Sequence, residues 1–212
     1  KLVHISAIGA DLNSQSSYAR SKGRAEAAIL SNAPGSVILR PSIVFGPEDS
    51  FFNKFAAMAK MFPALLLIGG GKTKFQPVYV EDVAQAVALG VDGTIAGGKI
   101  YELGGPEVLT FRECMELVLH TIRRQRPLVS LPFGIASMLG SVASLIPLIT
   151  PPITSDQVAL LRHDNVVSED AIRDGRTLEG MGIRPTLLSS VVPSYLVQYR
   201  PQGQFTDTGK AA

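Results

Sequence analysis

Hydrophobic and polar positions alternate in blocks that predict elements from the first residues onward. Leu2, Val3 and Ile5 form a short apolar run of the kind that makes a buried strand. A small-residue turn over 7–10 and a Ser/Asn-rich loop follow. Residues 18–30, rich in strong helix formers, predict a helix that ends in the breaker cluster at 31–35. Residues 36–39 are a second apolar strand, closed by Arg40-Pro41, where proline has no N–H for a ladder. Strand, helix and strand with short connections make a βαβ unit, hence parallel pairing. Two parallel strands are not a stable sheet. Because the chain starts inside a strand-like run, the remaining strands are expected N-terminal of residue 1.

Further along, residues 53–61 predict a helix with Phe55, Met58, Ala59 and Phe62 on one side, and 65–68 a strand. The glycines 69–71 lack the framing of a phosphate-binding loop and read as a mobile loop beside a substrate pocket. Residues 75–80 read as one strand. Glu81 and Asp82 then open a helix over 83–89, where carboxylates suit the N-terminal pole. Residues 99–103 are another strand. Thr110 and Glu113 make a capping box for a helix carrying Met115, Leu117, Val118 and Ile122. Thr154 to Gln157 cap a short helix over 158–162. Residues 164–167 are extended, short helical turns start at 168 and 176, a last helix spans 187–199, and 201–212 form a disordered tail.

The 212 residues are 46% hydrophobic and 18% charged, enough for a core of ordinary size. A net charge of +2 with both signs interspersed leaves no nucleic-acid footprint. Cys114 is the only cysteine and the three histidines are scattered, so no disulfide and no metal site is expected. Residues 127–155 contain no charge at all. A membrane span needs about 20 uninterrupted apolar residues, and Pro147 interrupts this stretch, so a span is rejected. Two readings stay open: a buried or pocket-lining helix over 135–146, or an exposed apolar element that touches a membrane or a partner.

The candidate chemistry lies near the start. Tyr18 and Lys22 are four apart and share a helix face. An ammonium so placed favours phenolate over phenol, and such a Tyr can exchange a proton with a carbonyl or alcohol. Ser6, at the end of the neighbouring strand, can donate to the same oxygen. Taken singly, a Tyr-x-x-x-Lys pair in a helix is far more often a surface pair, and Ser6 reads as a turn cap. The order of apolar strand, Ser, small-residue turn, polar loop and Tyr-x-x-x-Lys resembles the active-site segment of the short-chain dehydrogenase/reductase superfamily in its extended form. That resemblance implies Ser6 as orienting donor, Tyr18 as acid/base, and Lys22 as ribose ligand and partner of Tyr18. It also implies that Arg40, Pro41, Ser42, Ile43 and Val44 line the nicotinamide end of an NAD or NADP site, largely through their backbone. The phosphate-binding Gly-rich turn, a further catalytic Asn and the residue that separates NAD from NADP are expected upstream of residue 1.

A narrower resemblance rests on Phe45-Gly46-Pro47-Glu48-Asp49, Gln76-Pro77-Val78-Tyr79-Val80, Thr154-Ser155-Asp156-Gln157 and Met181-Gly182-Ile183-Arg184-Pro185. These are similar to the dehydrogenase-like accessory subunits of respiratory complex I and their bacterial relatives. The resemblance implies an α/β fold: the C-terminal part of a Rossmann-type doubly wound parallel sheet plus a small, mainly helical substrate lobe. Residues 1–105 would supply the sheet, with 46–77 contributing to the lobe, and 106–200 the rest of the lobe. It implies an NAD(P)-binding oxidoreductase-type protein. The alternatives are a non-catalytic structural or assembly subunit that holds NADP(H), and a nucleotide-sugar epimerase or dehydratase. Members of this group do not all keep the Ser/Tyr/Lys set, so whether the chain is an enzyme stays open. Implied partners are complex I subunits, an apolar quinone-like molecule and a membrane surface. On a membrane, Phe133, Ile135, Met138, Leu139 and Leu145 would be the contacts. The implied location is cytoplasmic, peripheral on the inner face of a bacterial inner membrane, or the matrix of a mitochondrion.

Overall fold

A computed structural model describes residues 1–143 and 154–201. Its centre is a parallel sheet. Strand β1 (Val3–Ile5) is followed by helix α1 (Ser17–Asn32) and strand β2 (Val37–Pro41), and β1 pairs with β2 in parallel, Val3 opposite Val37. Strand β7 (Lys99–Leu103) pairs in parallel on the other side of β2, so the order is β1-β2-β7. One of the strands expected from elsewhere thus comes from this chain.

Ile38 and Leu39 are fully buried because β2 is the central strand, with both faces covered. Between β2 and β7 the chain makes β3 (Val44–Phe45), α2 (Phe52–Met61), β4 (Leu65–Ile68), β5 (Lys74–Phe75), β6 (Val78–Tyr79) and α3 (Val80–Asp92). The expected strand over 75–80 is two pieces with different partners. Pro77 cannot donate, and the Gln76 amide donates to the Asn165 carbonyl at 3.1 Å, which breaks the ladder. β6 pairs with β3, while β5 pairs antiparallel with β8 (Leu109–Thr110).

After β8 come α4 (Phe111–Thr121), β9 (Leu128–Leu131), α5 (Phe133–Ala143), α6 (Ser155–Leu160), α7 (Glu169–Arg173) and α8 (Leu188–Leu196). The capping box of α4 is present as expected, with Thr110 and Glu113 bonded reciprocally. Pro193 lies inside α8, and the last turn tightens to a 3-10 helix over Val197–Tyr199. β4 and β9 form a second parallel pair, Leu65 opposite Leu128.

Two large apolar cores result, beside smaller clusters. One packs Val37, Leu39, Val78, Ala86 and Leu103 between sheet and α3; the other gathers Phe52, Leu67, Phe111, Met115, Val118 and Leu188 among α2, α4, β4 and α8. Glycines 69–71 form a defined turn rather than a loose loop. All three have positive φ, and a Cβ on Gly69 would lie 2.3 Å from the Phe133 ring. No helix among the described residues is long and apolar enough to cross a membrane. The tail expected to be disordered lies, from residue 202, outside the described residues.

Candidate active site

The site is built at the C-terminal end of β1, which a parallel sheet leaves open for ligands. The Ser6 amide donates to Leu39 O at 2.7 Å and the Ile8 amide to Pro41 O at 3.0 Å, so β2 holds the chain on both sides of the Ser6–Ile8 turn. The polar loop then folds back over α1. A Cβ on Gly23 would lie 2.8 Å from the backbone of Asp11 and Leu12, so only glycine lets loop and helix touch there. Ser16 caps α1, its hydroxyl accepting from the Ala19 amide at 3.2 Å.

These constraints set Lys22 between the Tyr18 ring and the end of β1, where Ser6 follows. Lys22 Nζ donates to the Ile5 carbonyl, next to Ser6, at 3.1 Å and lies 5.8 Å from the centre of the Tyr18 ring. Tyr18 is 47% exposed. Ser6 is buried, and its Oγ has no hydrogen-bond partner among the described residues. A buried hydroxyl without a partner costs stability, which is what a position reserved for a ligand oxygen looks like. The pull on Tyr18 differs from the expectation. Partial burial pushes its phenol up, while the Lys22 ammonium is turned toward Ile5 O.

Residues 40–44 sit behind that opening and are heavily engaged. Arg40 Nε and a terminal nitrogen donate to the two Glu26 oxygens at 2.8 and 2.5 Å, with Glu102 at 3.8 Å on the other side. The Glu26 hydrogen bond raises the Arg40 pKa further, against burial. The Arg40 guanidinium thus ties α1 to β2 and β7. The Pro41 carbonyl serves Ile8, the Ser42 amide donates to Leu103 O at 2.9 Å, and the Ile43 carbonyl accepts from Val78 at 2.9 Å. Val44 is in register with Val78. Ser42 Oγ lies 2.6 Å from Asn165 Oδ1.

Three residues around the site carry roles that the sequence did not disclose. Asn165 clamps Ser42 and also donates from Nδ2 to Ile8 O at 3.1 Å, fixing the turn after Ser6. Glu26 is buried as the acceptor for Arg40. Asp156, on α6, accepts from Ser16 Oγ at 3.0 Å, the Ser17 amide at 2.6 Å, Ser17 Oγ at 3.0 Å and the Tyr18 amide at 3.4 Å. Burial pushes its carboxyl up, and these donors together bring it below the ordinary value. The local signal at Thr154 to Gln157 is a capping box for its own helix, which is present and hides the contact to α1. Among the described residues no cluster of His, Cys, Asp and Glu can hold a metal ion.

Residues 8–100 match the 3-beta hydroxysteroid dehydrogenase/isomerase family. The chain is 38% identical to the mitochondrial NADH dehydrogenase (ubiquinone) 1 alpha subcomplex subunit 9 of Arabidopsis thaliana, over 96% of this chain and 52% of the relative. The subunit of the same name from Mus musculus is 31% identical over 89% of this chain and 48% of its own length. The chain therefore spans about half the length of the curated relatives it matches. Among solved structures, a dTDP-glucose 4,6-dehydratase from Streptomyces venezuelae with NAD and TYD bound superposes with a TM-score of 0.60 at 16% identity, over 93% of this chain and 58% of that one. That likeness shows the fold, a Rossmann-type α/β arrangement.

Proposed function

We propose that the chain is an NAD(P)-binding, oxidoreductase-type protein of the extended short-chain dehydrogenase/reductase superfamily, related to complex I subunits. The observation that carries this reading is Lys22, bonded to Ile5 O beside Ser6 and 5.8 Å from the Tyr18 ring, with Ser6 Oγ buried and unpartnered among the described residues. The residues fit the nicotinamide end of a dinucleotide. Lys22 donates one hydrogen bond to Ile5 O and has two more N–H donors for a ribose. When bound, a nicotinamide supplies or takes a hydride. At the substrate, Ser6 donates to the reacting oxygen and Tyr18 exchanges its phenolic proton with that oxygen. NADP and NAD are equally compatible with these residues.

The test is NADPH and NADH oxidation by the full-length protein against a panel of carbonyls and quinones. Tyr18→Phe is expected to lower turnover by roughly 10²-fold or more, the usual worth of a positioned acid/base. Unchanged turnover removes Tyr18 from the chemistry. A nucleotide-sugar epimerase or dehydratase reading would instead need turnover of a sugar nucleotide in the same assay.

A second reading is a subunit that holds NADP(H) without turnover, its partners complex I subunits and a membrane surface. The complex I relatives favour it, as does an apolar surface. Leu66 and Val129, register partners on β4 and β9, are both exposed, as are Met61, Phe62, Ile135 and Met138. Phe133 belongs elsewhere: it packs inward against the cluster of Ile68, Ala136 and Val158, with Arg162 stacked 5.0 Å from its ring. Leu145 lies outside the described residues, as does the side chain of Leu139. The protein would then sit peripherally on the inner face of a bacterial membrane or the matrix side of a mitochondrial one, with an apolar quinone-like molecule as a candidate ligand. Flotation with liposomes that resists salt and is lost in Met138→Asp supports this surface. Absence of flotation at any salt removes the membrane from it. Co-purification with complex I, with bound cofactor that never turns over, separates this reading from the first.

A further inference from the structure

We propose that Asp156 is a positioning residue for Tyr18: from the helical lobe it holds the first turn of α1 so that the Tyr18 ring stays beside Lys22. The proposal rests on the Ser6/Tyr18/Lys22 reading above and adds a residue to it from a distant element. Four donors converge on the one carboxylate, two hydroxyls and two amides, and all belong to Ser16, Ser17 and Tyr18. The first turn of α1 contains no acid of its own. A helix N-terminus leaves its first amides without internal partners, and here the Ser17 and Tyr18 amides are satisfied from outside. Ser16 Oγ passes the constraint on, since it donates to Asp156 while accepting from the Ala19 amide.

The support on the other side is stiff. Val158, two residues on, is buried against Ile68 and Ala136. Thr154 and Gln157 satisfy the start of α6 themselves, which leaves the Asp156 carboxylate free to serve α1. At the far end of α6 the Leu161 carbonyl accepts from Thr73 Oγ1, and Asp164 accepts from the Lys74 amide at 2.8 Å. A carboxylate anchored on both flanks fixes what it grips. Lys22 lies one turn further along α1 and is held separately through Ile5 O, so the relation between phenol and ammonium depends on the first turn keeping its place.

Two measurements on the whole chain test this, and neither needs turnover. In the first, amide hydrogen exchange is followed along α1 in Asp156→Ala and Asp156→Asn, the latter keeping an acceptor oxygen. The Ser17 and Tyr18 amides are expected to exchange about tenfold faster in Asp156→Ala, as on loss of a helix cap, with residues 25–29 unchanged and Asp156→Asn in between. A uniform acceleration, or none, overturns the proposal. In the second, the NMR shifts of the Tyr18 ring protons, identified with Tyr18→Phe, are compared with and without Lys22→Met. The ammonium lies 5.8 Å from the ring centre, so Lys22→Met should move these shifts in the Asp156 protein, and by less than about a third as much in Asp156→Ala. An equal increment in both backgrounds overturns the positioning role. If Lys22→Met moves nothing even with Asp156 present, the Tyr/Lys pair itself fails and the proposal falls with it. That pattern is distinct from loss of the Asp156 effect alone.

Discussion

Replacing Glu26 by Gln is the most informative single perturbation of the frame behind the site. Glu26 sits two turns after Tyr18 on α1, and its side chain is 5% exposed against 21% for Arg40. Two charge-assisted bonds of 2.8 and 2.5 Å join them. Removing one partner of a buried pair costs about 3–5 kcal/mol, because the other charge is left without compensation. Two features reduce that figure here. Arg40 keeps Glu102 at 3.8 Å, and its own side chain reaches water. We therefore expect Glu26→Gln to destabilise by about 2–3 kcal/mol, within the range for a hydrogen bond to a charged group. At roughly 2–4 °C per kcal/mol for a chain of this size, Tm falls by about 4–12 °C. Urea denaturation followed by circular dichroism measures it, with Arg40→Met and the double variant closing a cycle. The coupling should be about 2 kcal/mol. A loss below about 0.5 kcal/mol, or a coupling near zero, would show that the pair behaves as a solvated surface contact and that the reasoning from burial is wrong.

Three other expectations follow from named contacts. Burial above all, with the Glu113 charge behind it, pushes the Cys114 thiol up to about 12; alkylation at pH 8 should therefore track global unfolding, and labelling of the folded chain within minutes would refute this. Asp156 is held below the ordinary carboxylate value, so its contribution is present above about pH 4 and is lost as pH falls through its depressed folded value. The stability gap between the unaltered chain and Asp156→Asn should accordingly shrink below about pH 4, and a gap that widens there contradicts the contact. Gly69→Ala places a Cβ 2.3 Å from the Phe133 ring at a φ of +59° and should destabilise by about 1–3 kcal/mol in urea titration; a neutral result would mean that the turn is free to move.

What the sequence disclosed was whatever is local. The β1-α1-β2 unit lies in contiguous apolar runs bounded by breakers, and Tyr18 and Lys22 share a face simply because they are four residues apart. The capping boxes at Thr110 and Thr154 are equally local and are present. What stayed hidden depends on partners far along the chain. The strand expected over 75–80 divides because Gln76 turns to Asn165. Arg40 is occupied because Glu26 and Glu102 flank it from two other elements. Asp156 reads as part of its own helix start, and nothing in four residues of sequence says that α1 lies within reach. The triple glycine misled for a related reason: its conformational freedom is legible, but the Phe133 ring that makes glycine necessary is 64 residues later.

The clamp by Asn165 bears on the order in which the chain folds. Ser6 and its turn are made well before the residues that hold them: Ile8 is tied by a residue 157 positions later, and Ser16 by one 140 positions later. Closing a 157-residue loop costs roughly 2 kcal/mol more entropy than closing the 14-residue loop between Glu26 and Arg40. Contacts of such long separation form slowly. On the ribosome, β1, β2 and β7 can pair once residue 103 has emerged, while the Ser6 turn and the start of α1 must wait for the 156–165 segment. The Ser6 corner therefore settles only after the sheet that carries it, and a ribosome stalled before residue 156 should display a paired sheet whose Ser6 turn is still open to proteases.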